Sequence, residues 1–320
     1  MKTNQEIRRT LTKVALVTGV LVLMDLTIGT LTQYAFFQQT TGKYARIRYA
    51  LDDVTEEVVI FGSSHAMRHY IPEYIEETTH LSCYNAGSLN QRMLYQTTVQ
   101  EAMLTHHRPR YIILNIDHHW LTEDEHTYEL LADLNPYYGE YPQIIGPALR
   151  LNKHFEEAKL RLKAYRFNST LVHIIKYGLS PQPDAHGYVP VYATMPIPDD
   201  TIPEPPPRAE EEPPFDPNFV DAYRRFIANA EAHDVGLVMV ISPEVKKVHW
   251  RESRSLHRML DIAREHNVPV VDFADDPHFV GQYSLFKDYD HLNHAGAVVF
   301  STMLADSLAQ LIHSEDLVHR

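Results

Sequence analysis

The sequence has 320 residues, which allows one large domain or two small ones. Hydrophobic residues make up 44% and charged residues 22%, which is typical of a globular protein and excludes wholesale disorder. Asp and Glu number 42 against 29 Lys and Arg, and the net charge of −13 argues against a nucleic-acid partner. The single cysteine, Cys83, excludes an internal disulfide and a cysteine-based zinc site.

An apolar segment near the N-terminus predicts a membrane anchor. Residues 14–31 contain one charged residue, Asp25, and as a helix they would extend about 27 Å, close to the thickness of the hydrocarbon core. Four basic residues precede the segment: Lys2, Arg8, Arg9 and Lys13. By the positive-inside rule, we expect a single-pass protein with a cytoplasmic N-terminus and a periplasmic or extracellular domain.

Two other interpretations of this segment stay open. A cleaved signal peptide usually has a shorter apolar region followed by an A-x-A site, which is missing here, and the third interpretation is a buried helix. Asp25 argues against the anchor, because a carboxylate at the centre of a span costs roughly 2.5–3.5 kcal/mol. Our hypothesis is that Asp25 pairs with a helix of a membrane partner protein.

Five short apolar runs predict buried strands of a parallel sheet. They lie at 57–61, 81–84, 111–114, 237–241 and 268–273. Helical patterns at 91–107, 247–266 and 295–312 alternate with these strands, which predicts βαβ units with helices on both faces of the sheet. The expected class is therefore α/β.

The predicted organisation has three parts. They are a tail and anchor at 1–37, a polar and partly helical stalk at 38–56, and a domain at 57–320 that carries an insertion at 120–217. The insertion is predicted to be helical over 120–180, most clearly at 156–177. Residues 181–217 are rich in proline and predict an extended loop, either a surface connection or a lid over the site.

Reactive side chains follow the first predicted strand and precede the last predicted helix. Ser64 lies in Gly62-Ser63-Ser64-His65, and Asp288 and His291 stand three residues apart on one loop. A serine nucleophile needs a general base and a carboxylate that orients the base, and such groups collect at the carboxyl ends of parallel strands. The alternatives are ordinary turns and helix caps, or a metal site built on residues 288–294.

These motifs resemble the SGNH/GDSL hydrolase superfamily. The resemblance rests on Gly62-Ser63-Ser64, on Asn85-Ala86-Gly87 and most specifically on Asp288-x-x-His291-Leu292-Asn293. It implies a Ser64–His291–Asp288 triad, with the backbone N–H groups of Ser64 and Gly87 as oxyanion donors. The implied fold is a three-layer α/β/α sandwich with a flavodoxin-like parallel sheet of about five strands.

The third motif of that family departs from its usual pattern here. The family has Gly-x-Asn-Asp after the third strand, and its Asn donates a hydrogen bond to the oxyanion. In this sequence Asn115 comes two residues early and Asp117 stands at the Asn position, where an ionised carboxylate cannot donate. We therefore expect an oxyanion hole made of the two backbone amides alone, or completed by Asn85, Asn90 or Asn115.

Four residues near these motifs are predicted to bind substrate. His65 follows the nucleophile, Asn85 and Asp117 lie at strand ends, and Trp120 could stack on a sugar face. No cofactor and no metal are expected.

The resemblance is to the divergent, membrane-anchored branch of the superfamily. Relatives there include the D-alanyl transfer protein of teichoic acid and alginate acetylation proteins. This implies a membrane-anchored serine esterase or O-acyltransferase that acts on a small ester or on an acylated glycan of the cell envelope. An inactive scaffold that binds a glycan or a protein, and a metal-dependent hydrolase, are the alternatives. An α/β-hydrolase, whose elbow is G-x-S-x-G, is disfavoured, because that fold places several strands before its nucleophile and separates the acid from the histidine by more than three residues.

Overall fold

Five parallel strands form the central sheet in a computed structural model that describes residues 2–153, 157–196, 212–246 and 252–318. The strands are β1 (Val58–Phe61), β2 (Cys83–Asn85), β3 (Tyr111–Asn115), β4 (Gly236–Ile241) and β5 (Val270–Asp272). Their spatial order is β2-β1-β3-β4-β5, and every neighbouring pair is parallel. The predicted α/β class and all five predicted strands are therefore confirmed.

Thirteen α-helices occur among the described residues. They are α1 (Lys2–Phe37), α2 (Lys43–Arg48), α3 (Ser64–His69), α4 (Pro72–Thr79), α5 (Met93–Met103), α6 (Glu125–Leu130), α7 (Pro142–Arg150), α8 (Glu157–Leu160), α9 (Lys163–Arg166), α10 (Leu171–Leu179), α11 (Pro217–Ala232), α12 (Arg254–Glu265) and α13 (His294–Val318). A single π-helical turn at Tyr49–Asp53 precedes β1.

Helices cover both faces of the sheet, as the predicted three-layer arrangement requires. On one face α13 packs against α3 and α4, and on the other α11 packs against α5 and α12. The strands β1, β2 and β3 are buried along their whole length: in β1, Ile60 belongs to the core that includes Phe300 of α13, whereas the ring of Phe61 packs edge-on against Phe226 of α11. Buried apolar side chains of this kind contribute roughly 1.5–3 kcal/mol each.

The strand order creates a crevice between the carboxyl ends of β1 and β3. From β1 the chain continues to β2 on one side of β1, and it later forms β3 on the other side. Ligands of open α/β sheets bind at such a point, where the strand order reverses. Gly62 lets the chain turn there, because its φ of 149° is unfavourable for other residues and a Cβ would lie 2.7 Å from the Cβ of Ala66.

The helix predictions were partly wrong. The described part of the stretch 156–177 does not form one helix: it contains the three short helices α8, α9 and α10, with a 3₁₀ turn at Asn168–Thr170. Two helices, α4 and α11, were not predicted, although Asp216 caps the first amide groups of α11 and Pro217 occupies its first position. Residues 247–251 of the predicted helix at 247–266 lie outside the described residues. Residues 197–211 of the predicted proline-rich loop also lie outside them.

The chain divides into two compact units. The N-terminal unit contains Met1–Ala45 and Ala132–Gln182, and the sheet unit contains Arg46–Leu131 and Pro183–Arg320. The residues predicted to form a stalk are divided between the units, and Leu51 is fully buried in the sheet unit. The predicted domain boundaries stay a prediction.

Two helices in the described part of the chain are long and apolar enough to cross a membrane. The segment Asn4–Phe37 of α1 is largely exposed, and it is the span that the sequence predicts. The segment His294–His313 belongs to α13, where Phe300 and Leu304 are fully buried in the core of the sheet unit. We therefore take α1 as the candidate membrane span and α13 as a core helix.

Candidate active site

Ser64, His291 and Asp288 form a continuous hydrogen-bonded chain. The Nε2 atom of His291 lies 2.9 Å from the Oγ atom of Ser64, and the Nδ1 atom of His291 lies 2.8 Å from Oδ1 of Asp288. Both distances are within hydrogen-bonding range for a nucleophile, its base and the carboxylate that orients the base. The structure thus brings together the three residues that the sequence predicts as a triad.

The loop that carries His291 is held by hydrogen bonds from both sides. Oδ1 of Asp288 accepts the backbone N–H groups of Asp290 (3.1 Å) and His291 (2.8 Å), and Lys287 lies 3.0 Å from its Oδ2. The Nε2 atom of the buried His69 accepts the backbone N–H of Leu292 at 3.0 Å. The imidazole of His291 is therefore fixed before any substrate binds.

The protonation states suit general-base chemistry. Burial and the nearby charge of His65 lower the pKa of His291, so its imidazole is neutral and able to take a proton at neutral pH. Burial alone would raise the pKa of Asp288, but the positive charge of His291 and the bonds from Lys287 and the loop hold it at about 2. Asp288 is therefore ionised wherever His291 works as a base.

Ser64 lies where the end of β1 turns into α3. The side chain of Ser63 caps α3 by accepting the N–H of His65, and Ser64 begins the helix. A residue in the first turn has no carbonyl acceptor for its N–H within the helix, so the amide of Ser64 is available to a ligand. Ser64 is 9% exposed, and its hydroxyl faces His291.

A second histidine–carboxylate pair stands beside the triad. The Nδ1 atom of His65 lies 2.7 Å from Oδ1 of Asp117, which also accepts Nδ2 of Asn115 at 2.9 Å, while its Oδ2 accepts Ser63 Oγ at 2.5 Å. The ring of His65 stacks on that of His291 with 5.2 Å between centroids. This pair occupies the place of the family motif from which the sequence departs.

The charge of Asp117 makes His65 a cation at neutral pH. Burial opposes the charged imidazole, but the carboxylate and its hydrogen bond raise the pKa of His65 to about 9. Burial would also raise the pKa of Asp117, but the charge of His65 and its hydrogen bond hold it well below its usual range. Nε2 of His65 is buried and makes no hydrogen bond within the described part of the chain.

A cavity of about 290 Å³ opens next to this pair. Seven of its nine lining residues carry polar side chains, and the full lining comprises His65, Ile116, Asp117, His118, His119, Ile241, Ser242, Glu244 and Asp290. Carboxylates accept hydrogen bonds from hydroxyl groups, and imidazoles can either donate to them or accept from them. The predicted substrate residues His65 and Asp117 therefore do line a cavity at the carboxyl ends of the strands.

Asn85 and Gly87 were predicted to face the substrate and the oxyanion, but both form hydrogen bonds within the protein instead. The Nδ2 atom of Asn85, which is fully buried, donates to the carbonyls of Ala66 and Tyr70 at 2.7 and 2.8 Å. Its Oδ1 accepts the backbone N–H of Gly87 at 2.9 Å, so the amide predicted to face the oxyanion is engaged within its own turn. A Cβ at Gly87 would lie 2.4 Å from the backbone N of Met67, so close packing accounts for the glycine.

Asn115 and Trp120 are likewise buried and not available to a substrate. Oδ1 of Asn115 accepts Tyr70 and Ser242, its Nδ2 donates to Asp117, and the residue has no exposed surface from which to reach an oxyanion. Trp120 has no exposed surface, so it cannot stack on a sugar. Both predictions are corrected: these side chains support the site from beneath.

Sequence reasoning missed three residues that shape the site. Ser63 binds Asp117, Ser242 binds Asn115, and His69 holds the loop of His291. Position was the available signal for Ser242, because it directly follows β4 and the carboxyl ends of parallel strands meet at one edge. No group of three or more His, Cys, Asp or Glu side chains suited to a metal is found among the described residues.

Comparison with known proteins gives matches among solved structures. One is a putative lipolytic protein of the G-D-S-L family from Desulfitobacterium hafniense DCB-2, with 11% identity, a TM-score of 0.37, and coverage of 78% of this chain and 97% of that chain. Another match is the acetyl xylan esterase AlAXEase, with 11% identity, a TM-score of 0.38, and coverage of 80% of this chain and 99% of that chain.

No family model matches the sequence, and no curated protein matches it.

Proposed function

We propose that the protein is a serine esterase that works through a covalent acyl-enzyme on Ser64. The observation that carries the proposal is the unbroken chain from Ser64 Oγ through His291 to Asp288, with distances of 2.9 and 2.8 Å. A neutral imidazole with an ionised carboxylate behind it is the arrangement that activates a serine hydroxyl.

The reaction follows from these contacts. As Ser64 Oγ attacks the ester carbonyl carbon, His291 Nε2 takes its proton, and Asp288 stabilises the imidazolium. The tetrahedral intermediate collapses when His291 returns the proton to the leaving alkoxide, and the acyl group stays on Ser64. Water then attacks the acyl-enzyme with His291 as base, which releases the carboxylic acid. A sugar hydroxyl that replaces this water makes the same enzyme an O-acyltransferase.

The oxyanion in this proposal is stabilised by the amide of Ser64 and by the His65 cation. Asp117 cannot donate a hydrogen bond, but it holds His65 charged, with Nε2–H lacking a partner among the described residues. The family's neutral asparagine donor is thereby replaced by a positively charged one. A good donor to an oxyanion contributes about 2.7–4 kcal/mol.

We propose an acylated glycan of the cell envelope as the substrate. Seven polar side chains among the nine lining residues of the cavity can bind hydroxyl groups, for which Asp290 and Glu244 supply acceptors. The candidate span in α1 supports a site held close to a membrane, with the basic residues before it on the cytoplasmic side and the sheet unit outside.

The test is labelling by a serine-directed fluorophosphonate. We expect the full-length protein in detergent to react, and mass spectrometry to assign the adduct to Ser64. The Ser64→Ala variant should not react, and heat-denatured protein serves as the control for non-specific labelling. A native protein that binds polysaccharide but takes up no probe would contradict the proposal and favour an inactive scaffold.

The pH profile of kcat/KM should have two limbs. Activity requires neutral His291, whose pKa is lowered, so the acidic inflection is expected below 6.5 and activity falls as the pH drops through it. It also requires protonated His65, so activity should fall again as the pH rises through about 9. Initial rates on a soluble ester, corrected for the rate with Ser64→Ala, give the profile.

The variant His65→Asn assigns the alkaline limb. We expect a loss of roughly 10²-fold in kcat and the disappearance of the inflection near 9, because the charged donor is gone. His278→Asn is the matched control, since His278 lies on the surface and pairs only with Asp276 in the described structure. An alkaline inflection that persists unchanged in His65→Asn would remove His65 from the mechanism.

A further inference from the structure

Asp25, the single carboxylate within the predicted span, has its partner inside the chain. Its Oδ2 accepts the backbone N–H of Lys163 at 2.9 Å, and its Oδ1 accepts that of Ala164 at 3.0 Å. These amides open the short helix α9 of the insertion, where carbonyl acceptors are missing. The expected partner protein is therefore not needed to satisfy Asp25.

The contact continues along α1 toward its C-terminal end. Nζ of Lys163 lies 3.0 Å from Oγ1 of Thr30, and Gly29 lets the backbone of α9 approach so closely that a Cβ there would lie 2.6 Å from the N of Ala164. Further along, the ring of Phe36 packs on that of Phe167, with 5.3 Å between centroids. Asp25 lies about 17 Å along the helix from Val14 and about 9 Å before Leu31.

The helix α10 exposes an apolar face. Leu171, Val172, Ile175 and Leu179 are 46, 73, 60 and 83% exposed. At 100° per residue they fall within an arc of about 100° on one side of the helix. The opposite side is covered, since His173 packs on Tyr44 and the buried Tyr177 packs on His173. An apolar face of this kind on a folded unit marks an interaction site.

The same stretch is strongly basic. Residues 157–176 contain Lys159, Arg161, Lys163, Arg166 and Lys176 against one acidic residue, Glu157. Leu162, in the middle of these charges, is 52% exposed. Apolar side chains interspersed with Lys and Arg are the composition of segments that lie in the interface of an anionic bilayer.

We infer that the segment from α8 to α10 lies in the outer leaflet of the membrane, as a collar around the end of the span. The inference rests on the proposed span in α1: because Asp25 and Thr30 of that span hold α9, the attached segment is at the depth of the outer leaflet. Leu162 then meets acyl chains, the exposed face of α10 lies at the headgroup boundary, and the basic side chains reach anionic phospholipid headgroups. The Nζ atom of Lys163 points toward the outer end of the span, as lysines do when they reach for the interface.

Depth measurements with spin labels test this inference. The full-length protein, with single cysteines replacing Leu162, Val172 or Ile175, is labelled and reconstituted into vesicles of phosphatidylcholine and phosphatidylglycerol. For each label we measure the ratio of its collision rate with oxygen to its collision rate with a water-soluble nickel complex. We expect this ratio to be several-fold higher than the ratio for a label at Arg264. Arg264 is the aqueous control, because its side chain is 76% exposed on the sheet unit.

A label at Leu21 separates the two ways in which the experiment can fail. Leu21 lies on α1 and is 59% exposed, so a label there reports whether α1 itself enters the bilayer. Lipid exposure at Leu21 with aqueous signals at 162, 172 and 175 overturns the collar and leaves the span intact. Aqueous signals at 21, 162, 172 and 175 overturn the span. The parent protein must remain unlabelled, since its only cysteine, Cys83, is buried.

Replacement of the carboxylate gives a second readout. In Asp25→Leu the two amides of α9 lose their acceptors, and we expect the label at Leu162 to become more mobile and shallower while the label at Leu21 stays deep. In Asp25→Asn one oxygen acceptor remains, so an intermediate effect is expected. Labels that are unaffected in Asp25→Leu would show that this contact does not hold the collar.

Discussion

Ser64→Ala is expected to lower kcat for p-nitrophenyl acetate by roughly 10⁴-fold or more. The hydroxyl oxygen is the atom that forms the covalent bond, and within the described ranges of the chain its side-chain partner is the base His291. The methyl group leaves the amide of Ser64 and the cation of His65 in place, so substrate binding should change little. Steady-state kinetics on the purified full-length protein measure both kcat and KM.

The neighbouring serine supplies the matched control. Ser63→Ala removes the same atom one residue earlier, where the hydroxyl donates to Asp117 and caps α3. We expect this variant to lose much less activity and to keep fluorophosphonate labelling, since its effect passes through the orientation of His65. If Ser64→Ala retained turnover, or Ser63→Ala alone abolished labelling, the nucleophile would have been assigned to the wrong residue.

The strands and the triad were predictable because both depend on short stretches of sequence. An apolar run that ends in a turn, such as the run before Gly62, can be buried only as a strand when helices flank it on both sides. Once the strands are parallel, their carboxyl ends meet at one edge. The reactive side chains Ser64, Asp288 and His291 have a common use only if the loop with Asp288 and His291 faces Ser64.

The supporting residues could not be predicted, because their roles depend on which way a side chain turns. Asn85 and Asn115 end β2 and β3, and Trp120 follows β3 by five residues, so that sequence position alone suggests a ligand contact for each. In the structure each turns inward and satisfies buried partners or fills the core. A buried amide must find hydrogen bonds, and the partners of Asn115 come from residues 70, 117 and 242, which no local pattern connects.

The same reasoning explains the error at 156–177. The residues of this stretch favour helix individually, yet the structure interrupts it at Leu162 and again at Phe167. Each interruption has a long-range cause, since the amides after Leu162 bind Asp25 and the ring of Phe167 packs on Phe36. Tertiary contacts to a helix more than a hundred residues away outweigh local propensity here.

Asp288→Asn is expected to lower kcat/KM by roughly 10²–10³-fold. Oδ1 of Asp288 accepts three donors, namely Nδ1 of His291 and the N–H groups of Asp290 and His291. These donors will hold the amide oxygen of the asparagine in the Oδ1 position, and its NH₂ group will face Lys287. The tautomer of His291 is therefore preserved, and the loss comes from the missing negative charge that stabilises the imidazolium.

Asp288→Ala should be clearly worse than Asp288→Asn, because it removes the acceptor that orders the loop as well as the charge. The melting temperature of each variant separates loss of fold from loss of chemistry. Asp261→Asn, at an exposed carboxylate that pairs with Arg264, is the matched control and should behave like the parent. Equal activities of the Asn and Ala variants would mean that the three hydrogen bonds to Oδ1 do not position His291, and an unimpaired Asn variant would mean that the charge of Asp288 does not assist the base.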